Sequence, residues 1–209
     1  MITVSVVSHQ QAGLIASLLP QLLVLPLVSK VVVTLNVPEV VKLPQSDRIK
    51  IVTNTMPKGF GANHNHAFQE ADTPYFCVIN PDIKFEKDPF PWLTTRFESG
   101  AFGIVCPMVR DSVGKMQNSV REFPTITDLA LKIFGRETSI SLQHDVSIQN
   151  VPWCAGMFML FKSSSYKAVG GFDESFFLYY EDVDMCARMW AQGFSVGLVP
   201  KAEVIHDAQ

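Results

Sequence analysis

The stretch Gly170-Gly171-Phe172-Asp173-Glu174-Ser175-Phe176-Phe177-Leu178-Tyr179-Tyr180-Glu181-Asp182-Val183-Asp184 organises the reading of this chain. It joins a glycine turn, a run of aromatics and five acids. Val183, Cys186, Ala187, Trp190 and Ala191 follow at helical spacing, and Gly193 ends the helix. Asp182 therefore falls at a helix start, beneath a lid of Phe and Tyr. Such a carboxylate is either a catalytic base or an ordinary first-turn acid that meets free N–H groups and the positive end of the helix dipole. The rest of the chain has to separate the two.

Upstream, short β-branched runs alternate with helical segments. Ile2 to Ser8 predicts a first buried strand, and Leu14 to Leu25 an apolar helix that Pro20 ends or kinks. Lys30 to Leu35 and Arg48 to Thr53 predict two more strands. Gly59-Phe60-Gly61 opens a helix through Ala62, Ala67 and Glu70, and Tyr75 to Ile79 forms a fourth strand. Continuous hydrophobic strands in this order imply an α/β fold with a mostly parallel central sheet and helices on both faces. Ligands of such sheets bind beyond the strands' C-terminal ends, here Ser8-His9-Gln10, Asn36, Asn54 and Asn80-Pro81-Asp82. Ala101 to Met108 and Met157 to Lys162 are further strands, with Trp153 and Gly156 before the latter. Ser195 to Val199 and Val204-Ile205-His206 close the chain. Between them, Arg110 to Gln149 is irregular, with a short apolar helix near Leu129 to Phe134. It holds Arg121, His144 and Asp145, and long irregular regions of this kind often carry function.

Length, composition and charge exclude several classes. The 209 residues fit one domain with a sizeable core. Net charge is −3 and no Lys/Arg cluster occurs, which argues against nucleic acid as a partner. Cys77, Cys106, Cys154 and Cys186 each lie in an apolar run without metal-clip or redox spacing, so they read as reduced core residues of a cytoplasmic protein. Ala12 to Ser29 is uncharged and near membrane-spanning length, but Pro20, Gln21 and Pro26 favour a buried helix plus connection over a span.

The chemistry-bearing residues each have a plain reading beside the functional one. Asp82, in a strand-end turn, offers the oxygen ligand that Mg²⁺ or Mn²⁺ prefers; Asn-Pro-Asp is also an ordinary turn. Gly59-Phe60-Gly61-Ala62-Asn63 lets backbone N–H groups approach a phosphate or ribose, yet it is not the dinucleotide fingerprint, and neither is Ser8 to Gly13. His206 gains meaning only if the fold brings it beside Asp82. His64 and His66, two apart on a helix, face different ways and cannot clamp one ion together.

In combination these pieces resemble glycosyltransferase family 2, in its bacterial rhamnosyltransferase-like branch. The matching residues are Asn54 with Lys58-Gly59-Phe60-Gly61-Ala62-Asn63-His64-Asn65, then Asn80-Pro81-Asp82, then Trp153 and Gly156. Gly170 to Phe177, Tyr180 to Asp184, Arg188, Gly193 and His206 complete them. The resemblance implies a GT-A fold, with a nucleotide-binding half over about residues 1–108 and an acceptor-side half over about 109–209. It implies inverting transfer of a sugar, rhamnose by this likeness, from a nucleoside-diphosphate donor to a saccharide or lipid-linked acceptor in surface polysaccharide synthesis. Asp182 matches the catalytic base and Glu181 its neighbour. Asp82 and His206 match the divalent-metal residues, for Mg²⁺ or Mn²⁺. Ser8, Gln10, Asn36, Asn54, Lys58, Gly59, Gly61, Asn63, Asn80 and Asp82 fall on the nucleotide-sugar side; Trp153, Gly156 and Tyr180 fall on the acceptor side. A cytoplasmic enzyme with peripheral contact at the inner membrane face follows from a lipid-linked acceptor.

Two departures shape the expectations. Leu35-Asn36 stands where the family usually has Asp-Asn, which shifts nucleoside recognition toward Glu39 or Gln10. Relatives also continue past the His, whereas three residues follow His206 here. Together these motivate an alternative, a catalytically impaired domain of the same fold that binds nucleotide or a partner. A sugar nucleotidyltransferase ranks last, because Ser8 to Gly13 has a single Gly and no Lys or Arg.

Overall fold

A computed structural model describes residues 1–98, 100–124, 140–143 and 145–207. The helix expected near Leu129 to Phe134, and His144, lie outside the described residues. The main sheet is built on β1 (Ile2–Ser8), β2 (Val28–Leu35), β3 (Ile49–Thr53), β4 (Tyr75–Ile79), β5 (Ile83–Lys84), β6 (Phe102–Arg110), β10 (Phe158–Lys162) and β11 (Ser195–His206), in spatial order β3-β2-β1-β4-β10-β6-β11-β5. β8 (Gln149–Asn150) adds to β11, and β7 (Val120–Arg121) with β9 (Trp153–Cys154) forms a separate ribbon.

β3, β2, β1 and β4 run parallel, as their continuous apolar composition predicts. Beyond β4 the sheet is mixed. β10 inserts antiparallel between β4 and β6, and β11 runs parallel to β6. Chain order reverses at β1, with β2 on one side and β4 on the other, so the ends of β1 and β4 flank a crevice of the kind that binds ligands.

Strand side chains alternate between two cores, as a period of two requires. Val31 and Val33 join the cluster under α1 (Ala12–Leu23) and α3 (Phe90–Thr94), while Val32 joins the cluster under α2 (Phe60–Phe68) and α5 (Glu181–Ala191). Cys77 and Ile79 likewise face the first core, and Phe76 and Val78 the second. α4 (Ser163–Ala168) packs Tyr166 beside Phe76, Phe161 and Phe172 in the second core.

Pro20 does not end α1. It lies inside the helix on the exposed side, so the Ala16 carbonyl that loses its N–H partner can face water, while Ile15, Leu18, Leu19 and Leu22 stay buried. α1 has 12 residues, and no helix among the described residues is long and apolar enough to cross a membrane. The two closing strands are one: β11 runs unbroken through Pro200, with a register shift against β6 between Val199 and Glu203. The four cysteines are free and buried.

Candidate active site

The metal-side residues meet because two short pieces of strand pair. β5 runs antiparallel to the end of β11, with His206 opposite Ile83. The turn before β5 therefore sets Asp82 beside His206, with Oδ2 to Nε2 at 3.3 Å. Gln117 fixes the ring. Its Nε2 donates to the His206 carbonyl at 2.6 Å, which leaves Oε1 to accept from the His206 Nδ1–H at 2.9 Å. The Nε2 lone pair then points at a carboxylate, and Asp82 Oδ1 is buried without a hydrogen-bond partner. Two acceptors facing each other call for a cation or a proton between them, so the donor set fits a hard divalent ion. Among the described residues no group of three or more His, Cys, Asp or Glu converges on one point; two protein ligands fit an ion completed by substrate phosphates and water. Asn80 holds the turn by donating its backbone N–H to the Met157 carbonyl. Lys84 pairs with Asp207 at 2.7 Å and secures the strand end.

The nucleotide-side residues divide into two sets. Asn36, Asn54 and Asn63 are buried and satisfy one another. The Asn54 amide donates to Asn36 Oδ1 at 2.9 Å and to Asn63 Oδ1 at 2.7 Å, while the amides of Asn36 and Asn63 both donate to the Lys58 carbonyl. Their amide N–H groups are engaged within the protein, so they shape the loop before α2 from beneath. Ser8 is buried and its Oγ accepts from Gln11 N–H at the start of α1. Gln10 is exposed with φ 62°, and its N–H donates to Glu39 Oε1; Glu39 Oε2 is buried and unpartnered. Leu35, in place of an acid, belongs to the core.

Gly59 and Gly61 owe their identity to packing. A Cβ at Gly59 would stand 2.6 Å from the Phe177 carbonyl oxygen, and one at Gly61 would stand 2.6 Å from Phe172 Cβ. Phe60 N–H donates to that same Phe177 carbonyl at 3.0 Å. The start of α2 thus locks onto the aromatic loop that leads to Asp182. Lys58, Ala62, His66 and Phe177 line a cleft of about 600 Å³ along this seam. His64 turns the other way, its Nδ1 2.8 Å from Ser5 Oγ, and burial pushes its pKa down to about 3. The two histidines do not converge.

Asp182 lies in the first turn of α5, partly buried. Its Oδ2 accepts from the Gly156 N–H at 3.0 Å and its Oδ1 from the Val183 N–H at 2.8 Å. Gly156 has no room for a side chain, since a Cβ would stand 2.9 Å from the Phe60 ring. Burial raises the Asp182 carboxyl above its ordinary value and outweighs the pull of these N–H groups and of the Arg121 charge. Glu181 is buried, with Oε2 unpartnered, and burial raises its carboxyl too, with its own N–H opposing and the Asp182 charge adding to the rise. Asp184 is neutralised by Arg188 at 2.7 Å.

The aromatics expected to form a lid are exposed. Phe177, Leu178, Tyr179 and Tyr180 are 64%, 55%, 74% and 54% exposed, and Tyr179 and Tyr180 have φ values of 72° and 70°. Bulky residues in this left-handed region are strained, and such strain collects at functional sites. Tyr180 immediately precedes α5, so its backbone sets where Asp182 begins. Trp153 Nε1–H donates to the Glu122 carbonyl at 2.8 Å.

Two contributors carry no distinctive sequence signal. Gln117 sits in an irregular stretch, and its role depends on a long-range contact. Asn65 lies within a matched motif, but its work is structural: Oδ1 accepts from Tyr166 Oη–H and Phe172 N–H, and Nδ2 donates to the Phe172 carbonyl and Glu174. It ties α2 to the Gly170–Glu174 turn.

A family profile described as "Glycosyltransferase like family 2" matches residues 4–208. The chain is 35% identical over 162 residues to rhamnosyltransferase WbbL of Escherichia coli K12, covering 72% of this chain and 61% of that protein. It is 31% identical over 145 residues to an N-acetylglucosaminyl-diphospho-decaprenol L-rhamnosyltransferase of Mycobacterium tuberculosis, covering 63% and 46%. It therefore spans about half to three-fifths of these relatives' length. Among solved structures, GalNAc-T7 with UDP, GalNAc and Mn²⁺ superposes with a TM-score of 0.74 at 12% identity, over 100% of this chain and 43% of that one. The mannosyltransferase PcManGT of Pyrobaculum calidifontis, with GDP-Man and Mn²⁺, gives 0.66 at 15% identity, over 98% and 56%. The folds agree with a GT-A architecture, and the profile spans nearly the whole sequence: the chain belongs to the glycosyltransferase-like family 2.

Proposed function

We propose that this chain is the catalytic core of an inverting glycosyltransferase of surface polysaccharide synthesis. It transfers a sugar, rhamnose in this reading, from a nucleoside diphosphate to a hydroxyl of a saccharide or lipid-linked acceptor. The observation that carries the reading is Asp182: a partly buried carboxylate, raised in basicity and aimed by the Gly156 N–H, at the mouth of a GT-A fold. Likeness to the two rhamnosyltransferases supports the sugar, and the diphospho-decaprenol acceptor in the mycobacterial relative's name supports a sugar linked through diphosphate to a lipid.

In this reading Asp182 removes the acceptor hydroxyl's proton as the oxygen attacks the anomeric carbon from the face opposite the nucleotide. The bond from that carbon to the donor diphosphate breaks, and the nucleoside diphosphate leaves with the electron pair. Glu181 supports the base from the same turn. Asp82 and His206 would hold Mg²⁺ or Mn²⁺, whose charge offsets that of the departing diphosphate. Gln10 and Glu39 receive the nucleoside, with Lys58 beside the Asn36–Asn54–Asn63 platform, and Ser8 and Asn80 frame the crevice. Trp153, Gly156 and Tyr180 lie on the acceptor side. The halves about residues 1–108 and 109–209 then serve donor and acceptor. A lipid-linked acceptor places the enzyme at the inner membrane face.

The test is transfer from UDP-, GDP- and dTDP-linked sugars, with Mn²⁺ or Mg²⁺, to saccharide and lipid-diphosphate acceptors. Turnover of one donor supports the reading. Nucleotide binding without turnover of any donor would support the impaired-domain alternative, which the preserved Asp182–Gly156 and Asp82–His206 pairings do not favour.

A further inference from the structure

Arg121 has no part in the function proposed above, yet the fold holds it beside the base. It pairs with Trp153 directly across the β7–β9 ribbon, and its guanidinium carbon stands 5.8 Å from the centre of the Trp153 ring. Its Nε–H donates to the Asn118 carbonyl at 3.1 Å, while Trp153 is anchored through Glu122. The exposed cation is therefore held in place on an aromatic face.

The same ribbon leads to Asp182. Val120 pairs with Cys154, Ala155 N–H donates to the Ser119 carbonyl at 2.8 Å, and the next residue, Gly156, donates to Asp182. The Arg121 charge is felt at that carboxylate. Among the described residues no carboxylate lies within ion-pair distance of Arg121. An exposed guanidinium stacked on an aromatic ring matches the planar, two-point recognition of phosphate oxygens.

We propose that Arg121, stacked on Trp153, binds the phosphate that joins the acceptor saccharide to its carrier. The inference rests on the glycosyl-transfer reading and adds the anionic group that the acceptor must carry. The attacking hydroxyl has to reach Asp182, so a phosphate on the anomeric oxygen of the same sugar enters with the acceptor, on whose side the β7–β9 ribbon carries Arg121 and Trp153. The donor also carries phosphate, but that diphosphate belongs with Asp82 and His206. The experiment separates the two sources.

Wild type, Arg121→Ala and Arg121→Lys are assayed with two acceptors that share one saccharide. One carries a 1-diphosphate on a short prenyl chain; the other is an alkyl glycoside without phosphate. Arg121→Ala is expected to raise KM for the diphosphate acceptor at least tenfold. Donor KM, kcat at saturation and KM for the alkyl glycoside stay near wild type, and Arg121→Lys recovers part of the loss. Unfolding temperatures of the three proteins should agree, because the side chain is exposed. A rise in donor KM alone would reassign Arg121 to the donor phosphate and overturn the proposal. Equal losses on both acceptors, or a shifted acid limb of the pH–rate profile with unchanged KM, would make Arg121 only an electrostatic partner of Asp182. Wild-type transfer to both acceptors with equal efficiency overturns this inference and leaves glycosyl transfer standing; transfer to neither overturns both.

Discussion

Asp82 Oδ2 and His206 Nε2 lie 3.3 Å apart because the turn before β5 and the end of β11 are neighbours in an antiparallel pair. Gln117 holds the imidazole so that its lone pair faces the carboxylate. Gln117→Ala should weaken Mn²⁺ binding in the presence of nucleoside diphosphate by about 10–100-fold, the usual cost of losing a residue that orients a ligand. Asp82→Ala and His206→Ala should abolish it. Calorimetry with Mn²⁺ and UDP, GDP or dTDP reads the effect. Unchanged affinity in Gln117→Ala would remove its orienting role.

Burial raises the carboxyls of Asp182 and Glu181. For an acid raised in the folded state, the folded protein holds the proton more tightly than the unfolded chain. Stability contributed by these groups is therefore present at low pH and lost as pH rises through the folded values. Asp182→Asn and Glu181→Gln should each raise Tm at pH 7 to 8, and the gain should vanish below the ordinary carboxylate range. Each kcal/mol gained reads as roughly 2–4 °C. A Tm at pH 8 below wild type in both variants would contradict the burial argument. The groups near Asp182 are Glu181, Asp184 with Arg188, Arg121, and the Cys154 and Cys186 thiols, the first raised by its hydrogen bond with Cys106 and then by burial, the second raised by burial.

His64 acts in the opposite sense. Its pKa is about 3 in the fold against 6.5 for the free side chain, so the unfolded chain takes up the proton first. Stability is lost as pH falls from 6.5 toward 3. The shift corresponds to a few kcal/mol, at about 1.36 kcal/mol per unit. His64→Gln should be less stable at pH 7, through the lost Ser5 and Phe60 contacts, and should show a flatter stability curve between pH 6.5 and 4. Chemical denaturation across that range checks it.

Asn65 makes four hydrogen bonds between α2 and the elements that lead to Asp182. Asn65→Ala should cost about 2–4 kcal/mol, because the Phe172 backbone groups and the Tyr166 hydroxyl lose partners in a partly buried place. Transfer activity should fall together with Tm. A loss of activity without a loss of stability would mean that Asn65 touches substrate.

Much of the fold is legible because the strands are short β-branched runs buried on both faces, and their apolar content survives any detail of packing. β1 and β4 match their sequence boundaries, and α5 starts within two residues of its apolar stripe. α1 does not end at Pro20, because an exposed proline can remain inside a helix whose opposite face is fully packed. β11 misleads because a register shift around Pro200 hides its continuity. At the site, Asp82 and His206 are legible as chemistry but not as neighbours, since only strand pairing unites them. Asn36, Asn54 and Asn63 look like ligand groups in sequence, and in the fold they satisfy one another. Polarity at a strand end does not distinguish a platform from a contact. Gln117 was illegible, being one glutamine in a stretch with no period.

The most direct measurement is transfer by Asp182→Asn with a nucleotide sugar, Mn²⁺ and a lipid-diphosphate acceptor. The amide keeps an oxygen to accept the Gly156 or Val183 N–H but cannot take a proton, so a fall of about 10²–10⁴ in kcat is expected, with donor affinity retained. Turnover within a factor of about two of wild type would contradict Asp182 as the base, and with it the central claim.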